Sequence, residues 1–338
     1  MLEIRNLQIR YDETEIVRDL SFNLNKNEII TLVGPTGSGK TTILLALAGL
    51  LPIFEGSINS LTWSATKKNQ VPTEQRSIGM VFQDFALFPH LTVEKNIGFK
   101  VKDQKKLDYW LNLLGLTDVK NEKPGRLSGG QKQRVALART LMHDPTYVLL
   151  DEPLSNLDAS LKETLRWEIR DALKTSGVSA IWVTHDQQEA MSVGDRIGVL
   201  KSGHLEQLDR PEICFDEPKN QFVAKFLGEA TFLPATLNNG AGQTQLGIVA
   251  VKPHNANDEN ILILLRPWDF SVELTGDSNG KVDWIHYEGA SNLSKIILNK
   301  GDIILARTHS YLNLSEGDQV KVGLKQDKYF TAFRNSSK

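Results

Sequence analysis

The sequence of 338 residues exceeds the usual size of one hydrophobic core, which favours two domains. Its content of 40% hydrophobic, 24% charged and 7% aromatic residues is that of a folded globular protein and excludes a disordered chain. The formal net charge of -2 excludes a global basic field of the kind that attracts nucleic acid or anionic membranes, and leaves only local patches open.

The single cysteine, the N-terminal residues and the length of the apolar runs indicate the cellular location of the protein. Cys214 cannot form an internal disulfide, and the N-terminal residues lack the apolar core of a signal peptide. We therefore expect a cytosolic location. No run approaches the roughly 20 apolar residues that span a bilayer, so a partner would provide any membrane crossing.

Strand and helix patterns alternate through the first two thirds of the chain. Apolar and polar residues alternate at residues 7–11 and 20–24, which predicts two half-buried antiparallel strands. Continuous apolar runs, typical of strands buried on both faces, occupy residues 29–33, 78–82, 147–150 and 180–184. Helical spacing marks residues 107–114 and 161–173, the second after a cap at Asp158. This order predicts an α/β domain with a mostly parallel sheet.

After about Gly228 the pattern changes to short β-like runs between Gly, Asn and Asp turns. Such runs lie at residues 261–265, 295–298, 303–306 and 320–324, and no long helical period separates them. We therefore expect a first domain at residues 1–230 and a second, all-β domain at residues 231–338.

A glycine-rich segment follows the apolar run at residues 29–33 and precedes a helical run, which is the context of a phosphate-binding P-loop. Its glycines let the backbone wrap around a polyphosphate, while the amides at the helix start and Lys40 supply positive potential. The hydroxyl of Thr41 is suited to Mg²⁺. The pattern predicts nucleotide binding but does not choose among kinases, GTPases, helicases and transport ATPases. It comprises Gly34, Pro35, Thr36, Gly37, Ser38, Gly39, Lys40, Thr41 and Thr42.

Two adjacent acids, Asp151 and Glu152, end the apolar run at residues 147–150. The first is suited to Mg²⁺ and the second to the attacking water. Because consecutive side chains leave a strand in different directions, the two carboxylates can serve metal and water separately. The alternative is a solvated acidic pair in a turn, which the preceding apolar run and Pro153 disfavour.

Residues Leu127-Ser128-Gly129-Gly130-Gln131 precede that acidic pair by a short helix and strand. Taken alone they fit a serine-capped, glycine-rich turn, and their amides at a helix start favour an added anion. Together with the phosphate loop they resemble the signature of ABC ATPases. The resemblance covers nearly the first 230 residues, and it implies an α/β P-loop NTPase fold with a mixed sheet and a helical subdomain at about residues 84–145.

The resemblance implies a role for each matching residue. Tyr11 corresponds to the aromatic that stacks on adenine, Gln83 to the Q-loop glutamine and His185 to the switch histidine, although each also fits a structural role as a strand or capping residue. The D-loop corresponds to residues 155–158, where Asn156 stands in place of the family's usual alanine and puts communication between sites in doubt. The implied catalytic residues are Glu152, His185, Gln83 and Lys40; ATP is held by Tyr11, residues 34–42, Gln83, Ser128, Gly129, Gly130 and Gln131; Mg²⁺ is held by Thr41, Gln83 and Asp151.

In this family two nucleotide domains face head to tail, so one chain is expected to make half of each ATP site. Lys40, Thr41, Gln83, Glu152 and His185 of one subunit would then face Ser128 and Gly130 of the other. Loss of the γ-phosphate removes the charge that both halves bind, so hydrolysis is expected to loosen the homodimer.

Residues 81–93 and the β-rich tail resemble importer ATPases, with residues 226–235 and Leu265-Arg266-Pro267 most like the iron(III) type. Polyamine, sulfate or molybdate, and sugar importers stay open as alternatives. The resemblance implies a C-terminal OB-like domain for dimerisation and regulation, permease subunits, an indirect substrate-binding protein, no nucleic acid, and a peripheral position on the cytoplasmic face of the inner membrane.

The segment after Gln83 supplies a predicted docking surface for the permease. Phe85, Leu87 and Phe88 are expected to form an exposed apolar cluster, with core packing of at least one of them as the alternative.

Two rival functions are weighed against transport. A soluble ABC ATPase that remodels nucleic acid or ribosomes usually has paired ATPase domains or coiled-coil insertions, whereas this chain has one P-loop and no heptad run. A purely structural binder is disfavoured because Lys40, Asp151, Glu152 and His185 are all present.

Overall fold

A computed structural model of the protein describes residues 1–252, 259–325 and 328–335. The chain forms two compact units, one at Met1–Pro211 and one that begins at Glu212. Among the described residues, no helix is both long and apolar enough to cross a membrane.

The first unit contains ten strands and six α-helices among its elements. The strands are β1 (Leu2–Tyr11), β2 (Thr14–Leu24), β3 (Ile29–Val33), β4 (Glu55–Asn59), β5 (Ser64–Thr66), β6 (Ile78–Val81), β7 (Tyr147–Asp151), β8 (Ser179–Val183), β9 (Arg196–Lys201) and β10 (His204–Asp209). The helices are α1 (Lys40–Ala48), α2 (Val93–Ile97), α3 (Gln104–Leu113), α4 (Gly129–Met142), α5 (Ala159–Ser176) and α6 (Gln187–Val193).

The central sheet has the strand order β10-β9-β3-β8-β7-β6, and only its β9–β10 pair is antiparallel. The four continuous apolar runs therefore form strands of one sheet, as the sequence predicts. Strands β1, β2, β4 and β5 form a separate antiparallel sheet, which confirms the two alternating N-terminal strands. The mixed sheet with helices confirms the predicted α/β class.

Strands β3, β7 and β8 of the central sheet are mostly apolar and are buried at every position. Val148 and Leu150 belong to one core cluster with residues of helices α2 to α5. Leu149, between them, belongs to a second cluster with α1 and the small sheet. Alternate side chains of one strand thus anchor two layers, and the carboxyl ends of the parallel strands share one edge.

Helices α2, α3 and α4 lie between β6 and β7 in the chain, within the segment predicted as a helical subdomain. Helix α3 buries Leu107, Trp110 and Leu111, as their helical spacing predicts. The expected cap of α5 is only half correct: Asp158 occupies the N-cap position, but its side chain accepts no capping hydrogen bond.

The second unit contains ten strands and two short helices among its described residues. The helices are α7 (Pro211–Asp216), which begins at the division between the units, and α8 (Gln221–Phe226). The strands are β11 (Thr231–Asn238), β12 (Ala241–Thr244), β13 (Gly247–Ala250), β14 (Asn260–Leu265), β15 (Phe270–Glu273), β16 (Gly280–Tyr287), β17 (Ser291–Leu298), β18 (Ile303–His309), β19 (Gln319–Leu324) and β20 (Ala332–Arg334). They form two five-stranded sheets whose strand pairs are antiparallel, in agreement with the predicted all-β, OB-like region.

A buried arginine joins the helical start of the second unit to its strands. Arg266 donates hydrogen bonds to the carbonyls of Phe215, Ala224, Gly228 and Glu229. Burial lowers the pKa of its guanidinium to about 10. Because these bonds link residues on both sides of position 230, the compact unit starts earlier in the chain than the sequence-based division at 230/231.

Candidate functional site

The glycines of the phosphate loop are required by its backbone geometry. Gly37 and Gly39 have φ of 80° and 97°, in the left-handed region that favours glycine. A Cβ on Gly34 would lie 2.3 Å from the carbonyl oxygen of Leu200, on the neighbouring strand β9. The loop after β3 therefore turns tightly into α1, and the first amides of this helix have no intrahelical acceptor.

Lys40, at the start of α1, lies with only 7% of its surface exposed. Its Nζ donates to the carbonyl oxygens of Gly34 at 2.8 Å and Pro35 at 3.0 Å. Burial lowers the pKa of the ammonium, against the opposing charges of Glu152 and Asp151. An anionic phosphate oxygen is a stronger partner for such an ammonium than a neutral carbonyl, so the residue is suited to bind a nucleotide phosphate.

A hydroxyl and a carboxylate meet beside the loop. Thr41 Oγ1 donates to Asp151 Oδ1 at 3.0 Å, which joins the first turn of α1 to the end of β7. Burial raises the pKa of Asp151, and the Thr41 hydrogen bond partly opposes that shift. These hard oxygen donors fit Mg²⁺. The residues described contain no cluster of three or more His, Cys, Asp or Glu suited to a metal.

Glu152 leaves the strand in a different direction from Asp151. Its backbone has φ of 44°, a left-handed conformation that turns the chain sharply after β7. Its Oε2 lies 3.0 Å from Nδ1 of His185, which follows β8. The predicted separation of the two acids is thus visible in their contacts: Asp151 bonds Thr41, and Glu152 bonds His185.

The signature segment forms the start of helix α4. Ser128 Oγ accepts from the amide of Gln131 at 3.3 Å, and Gln131 Oε1 accepts from the amide of Ser128 at 2.9 Å. This capping box satisfies two backbone groups locally and leaves the amides of Gly129 and Gly130 without an intrahelical acceptor. The helix start is therefore suited to an anion.

The contacts divide the predicted site residues into two groups. Lys40 and Thr41 bond the loop carbonyls and Asp151, with Glu152 and His185 paired beside them. The signature segment instead packs on the residues after Glu152, since a Cβ on Gly129 would lie 2.5 Å from Leu157 Cδ2.

Comparisons with known proteins agree with this geometry. Residues 17–155 match the family model described as ABC transporter. The Fe(3+) ions import ATP-binding protein FbpC of Fusobacterium nucleatum is 37% identical over 97% of this chain and 92% of its own length. A second FbpC protein, from Haemophilus influenzae, is 36% identical over 98% of this chain and 97% of its own length. The chain belongs to the ATP-binding proteins of ABC transporters.

Two further comparisons extend this assignment. The spermidine/putrescine import ATP-binding protein PotA of Bacillus cereus is 38% identical over 77% of this chain and 79% of its own length. A solved dimer of an ATP-binding cassette in a post-hydrolysis state, bound to ADP and Pi, has a TM-score of 0.55 and 29% identity, and covers 62% of this chain and 99% of that chain. The protein is an importer-type ABC ATPase that binds and hydrolyses ATP.

Two predicted site residues of the ABC ATPase have exposed side chains. Tyr11, the last residue of β1, has 44% of its surface exposed. Gln83 is exposed just after β6, and its backbone carbonyl oxygen accepts a hydrogen bond from Asn156 Nδ2 at 3.1 Å. The sequence shows Asn156 only as a departure from the family pattern and gives no sign of this contact.

The predicted docking cluster is half-buried rather than exposed. Phe85 and Leu87 pack against the core, so the alternative of core packing holds for these two residues. The ring of Phe88 lies 4.5 Å from that of Phe99, at a groove of about 490 Å³ that Arg139 and His143 also line. Arg139, which sequence analysis did not select, donates to the carbonyl oxygens of Phe85 and Ala86.

Proposed function

We propose that this ABC ATPase is the energy-supplying subunit of an iron(III) importer. The observation that carries the proposal is the similarity to the Fusobacterium FbpC protein, which extends over 97% of the chain and so includes the β-rich second unit. By contrast, the solved dimeric ATP-binding cassette covers only 62% of this chain. The shared second unit therefore supports an importer of the FbpC type.

In the proposed reaction, the loop amides and Lys40 bind the β- and γ-phosphates of ATP. Thr41, Asp151 and the side-chain oxygen of Gln83 would hold Mg²⁺, which neutralises phosphate charge when bound. Glu152 orients and deprotonates the attacking water, and His185, in contact with its carboxylate, stabilises that arrangement and reaches the γ-phosphate.

The second half of each ATP site is proposed to come from another copy of the chain. The dimeric cassette with ADP and Pi supports this arrangement. The amides of Gly129 and Gly130 would bind the γ-phosphate that the phosphate loop of the other copy holds. Hydrolysis then removes a charge that both copies bind, so the dimer opens and the motion is available for transport.

The partner that receives this motion is proposed to be a permease of two transmembrane subunits or a fused pair. The chain would bind its cytoplasmic side as a peripheral protein, and a substrate-binding protein would deliver cargo from outside. The groove at Phe88 and Phe99 is the proposed contact, because it lies beside the loop that follows Gln83.

Polyamine import is the second candidate. PotA of Bacillus cereus is slightly more identical than the FbpC proteins, but over a smaller share of the chain. The two cargoes differ in charge density and ligand preference, so uptake measurements separate them.

The test is transport in the source cell. The gene is deleted and replaced by the wild-type gene or by the Glu152→Gln variant, and uptake of radiolabelled iron(III) and of spermidine is measured. We expect iron(III) uptake to fall in the deletion and in Glu152→Gln, with spermidine uptake unchanged. Loss of spermidine uptake alone would establish the polyamine alternative, and normal uptake of iron(III) in both strains would refute the proposal.

A further inference from the structure

Asn156 occupies a loop whose start is fixed to Glu152. The amide and the hydroxyl of Ser155 both bond the carbonyl oxygen of Glu152, at 3.2 Å and 2.9 Å. These two bonds close a tight turn after β7. The position of Asn156 is therefore tied to that of the proposed catalytic base.

The side chain of Asn156 reaches the segment after β6. Its Nδ2 donates to the backbone carbonyl oxygen of Gln83 at 3.1 Å. A carbonyl oxygen can only accept, so the amide nitrogen of Asn156 must face it. An alanine at this position would have no group that could form this bond.

The loop that follows Gln83 depends on such outside contacts. Phe85 and Ala86 have φ of 65° and 46°, left-handed conformations that are unfavourable for residues other than glycine. Arg139, on helix α4, holds their two carbonyl oxygens at 3.3 Å and 2.8 Å. The loop is thus held at one end by Asn156 and at the other by Arg139.

The same loop after β7 also contacts the signature helix. Leu157, next to Asn156, is the side chain that a Cβ on Gly129 would meet. Residues 156–157 therefore lie between the Gln83 loop and the start of α4.

We propose that Asn156 is a positioning residue that couples Gln83 to Glu152 within one chain. By binding the backbone carbonyl of Gln83, it would fix the position from which the Gln83 side chain reaches Mg²⁺, while Glu152 orients the attacking water. The inference rests on the proposed role of Gln83 as a Mg²⁺ ligand, and it assigns this chain an internal link that an alanine would not provide.

The experiment compares purified full-length variants. Asn156→Ala removes the amide, Asn156→Asp keeps the shape but replaces the donor with an acceptor, and Asn156→Gln keeps a donor. Asn112→Ala is the control, because Asn112 is an exposed asparagine on α3. Three quantities are measured: the Mg²⁺ concentration that gives half-maximal ATP turnover, deuterium exchange at residues 83–88, and Tm.

We expect Asn156→Ala and Asn156→Asp to raise the half-maximal Mg²⁺ concentration by about three- to tenfold, the effect of one lost hydrogen bond. Exchange at residues 83–88 should become faster, while Tm stays equal to that of Asn112→Ala. Asn156→Gln should stay within about twofold of wild type.

Unchanged Mg²⁺ dependence or unchanged exchange in both donor-free variants would overturn the inference, as would a normal Asn156→Asp beside an impaired Asn156→Ala. These outcomes differ from a failure of the proposed function. In that case the wild-type chain would not respond to Mg²⁺, or Glu152→Gln would turn ATP over normally.

Discussion

The phosphate loop and the signature segment are both glycine-rich helix starts, yet they differ in how their side chains are placed. Lys40 and Asp151 are 7% and 8% exposed, and they are held by bonds that join α1 to the loop after β3 and to the end of β7. Ser128 is exposed, and its capping bonds stay within the four residues from Ser128 to Gln131. One region is organised by the sheet, whereas the other is organised by its own helix.

This difference suggests different roles for the phosphate loop and the signature segment. A buried ammonium, a buried carboxylate and a glutamate paired with a histidine form the proposed binding and catalytic set. The start of α4 has two amides without an intrahelical acceptor, and a second copy of the chain is the proposed source of their ligand. Variants at each segment should therefore have different effects.

The largest effect is expected from Glu152→Gln. The amide keeps the size of the side chain but cannot accept the proton of the attacking water, so ATP turnover should fall by roughly 10²-fold or more while ATP still binds. Steady-state phosphate release and nucleotide binding measure the two parts. Glu163→Gln, an exposed change on α5, is the control and should be near wild type. Turnover near wild type in Glu152→Gln would contradict the assignment of the base.

Ser128→Arg tests whether the exposed segment acts across a dimer. A guanidinium at the helix start would block the approach of another copy, so ATP should no longer induce dimerisation when hydrolysis is prevented in a Glu152→Gln background. Analytical ultracentrifugation with and without ATP measures the assembly. Gln104→Arg adds the same charge on the exposed start of α3 and should still dimerise. A Ser128→Arg chain that dimerised and hydrolysed normally would show that the segment acts within one copy.

Gly129→Ala tests the packing between the signature helix and residue 157. The added Cβ would lie 2.5 Å from Leu157 Cδ2, so the leucine must move. We expect a decrease of about threefold to tenfold in ATP turnover with little loss of stability, because a flexible side-chain end can adapt. Gly125→Ala is the matched control, since its Cβ would meet nothing within 4 Å. Equal ATP turnover in Gly129→Ala and Gly125→Ala would show that the packing of Gly129 against Leu157 does not affect catalysis.

The smallest effect is expected from Glu189, a buried acid on α6. Burial raises the pKa of Glu189, which accepts a hydrogen bond from Trp182 Nε1. A raised carboxyl pKa means that the folded state holds its proton more tightly than the unfolded state. The free energy of unfolding should therefore fall as the pH rises from the pKa of the Glu189 carboxyl in the unfolded state through its pKa in the folded state. Glu189→Gln removes the charge and keeps an acceptor for Trp182.

We expect Glu189→Gln to raise the free energy of unfolding by about 1 kcal/mol at pH 8. The gain should shrink as the pH is lowered and the wild-type carboxyl takes up its proton. Urea unfolding at several pH values measures both, with Glu163→Gln as the exposed control. A gain that grows toward low pH would have the wrong sign for a raised pKa.

Several strands, the phosphate loop and the acidic pair could be predicted from the amino-acid sequence. Four strands of the central sheet, β3, β6, β7 and β8, lie in continuous apolar runs, which are typical of buried strands, whereas β9 and β10 were not among the predicted strands. The loop glycines and Lys40 are adjacent in the chain, so their joint use needs no long-range contact. The all-β second region is likewise marked by its short runs and turns.

Only the tertiary structure decided which distant residues meet. His185 lies beside Glu152 because β7 and β8 are parallel neighbours whose ends share one edge. The bond of Asn156 to Gln83, and the clamp of Arg266 on four carbonyls, join segments that no local pattern relates. Side-chain exposure also depends on tertiary packing, since Phe85 and Leu87 are half-buried against the core cluster. Strand register and packing are properties of the folded chain, and they set these distances.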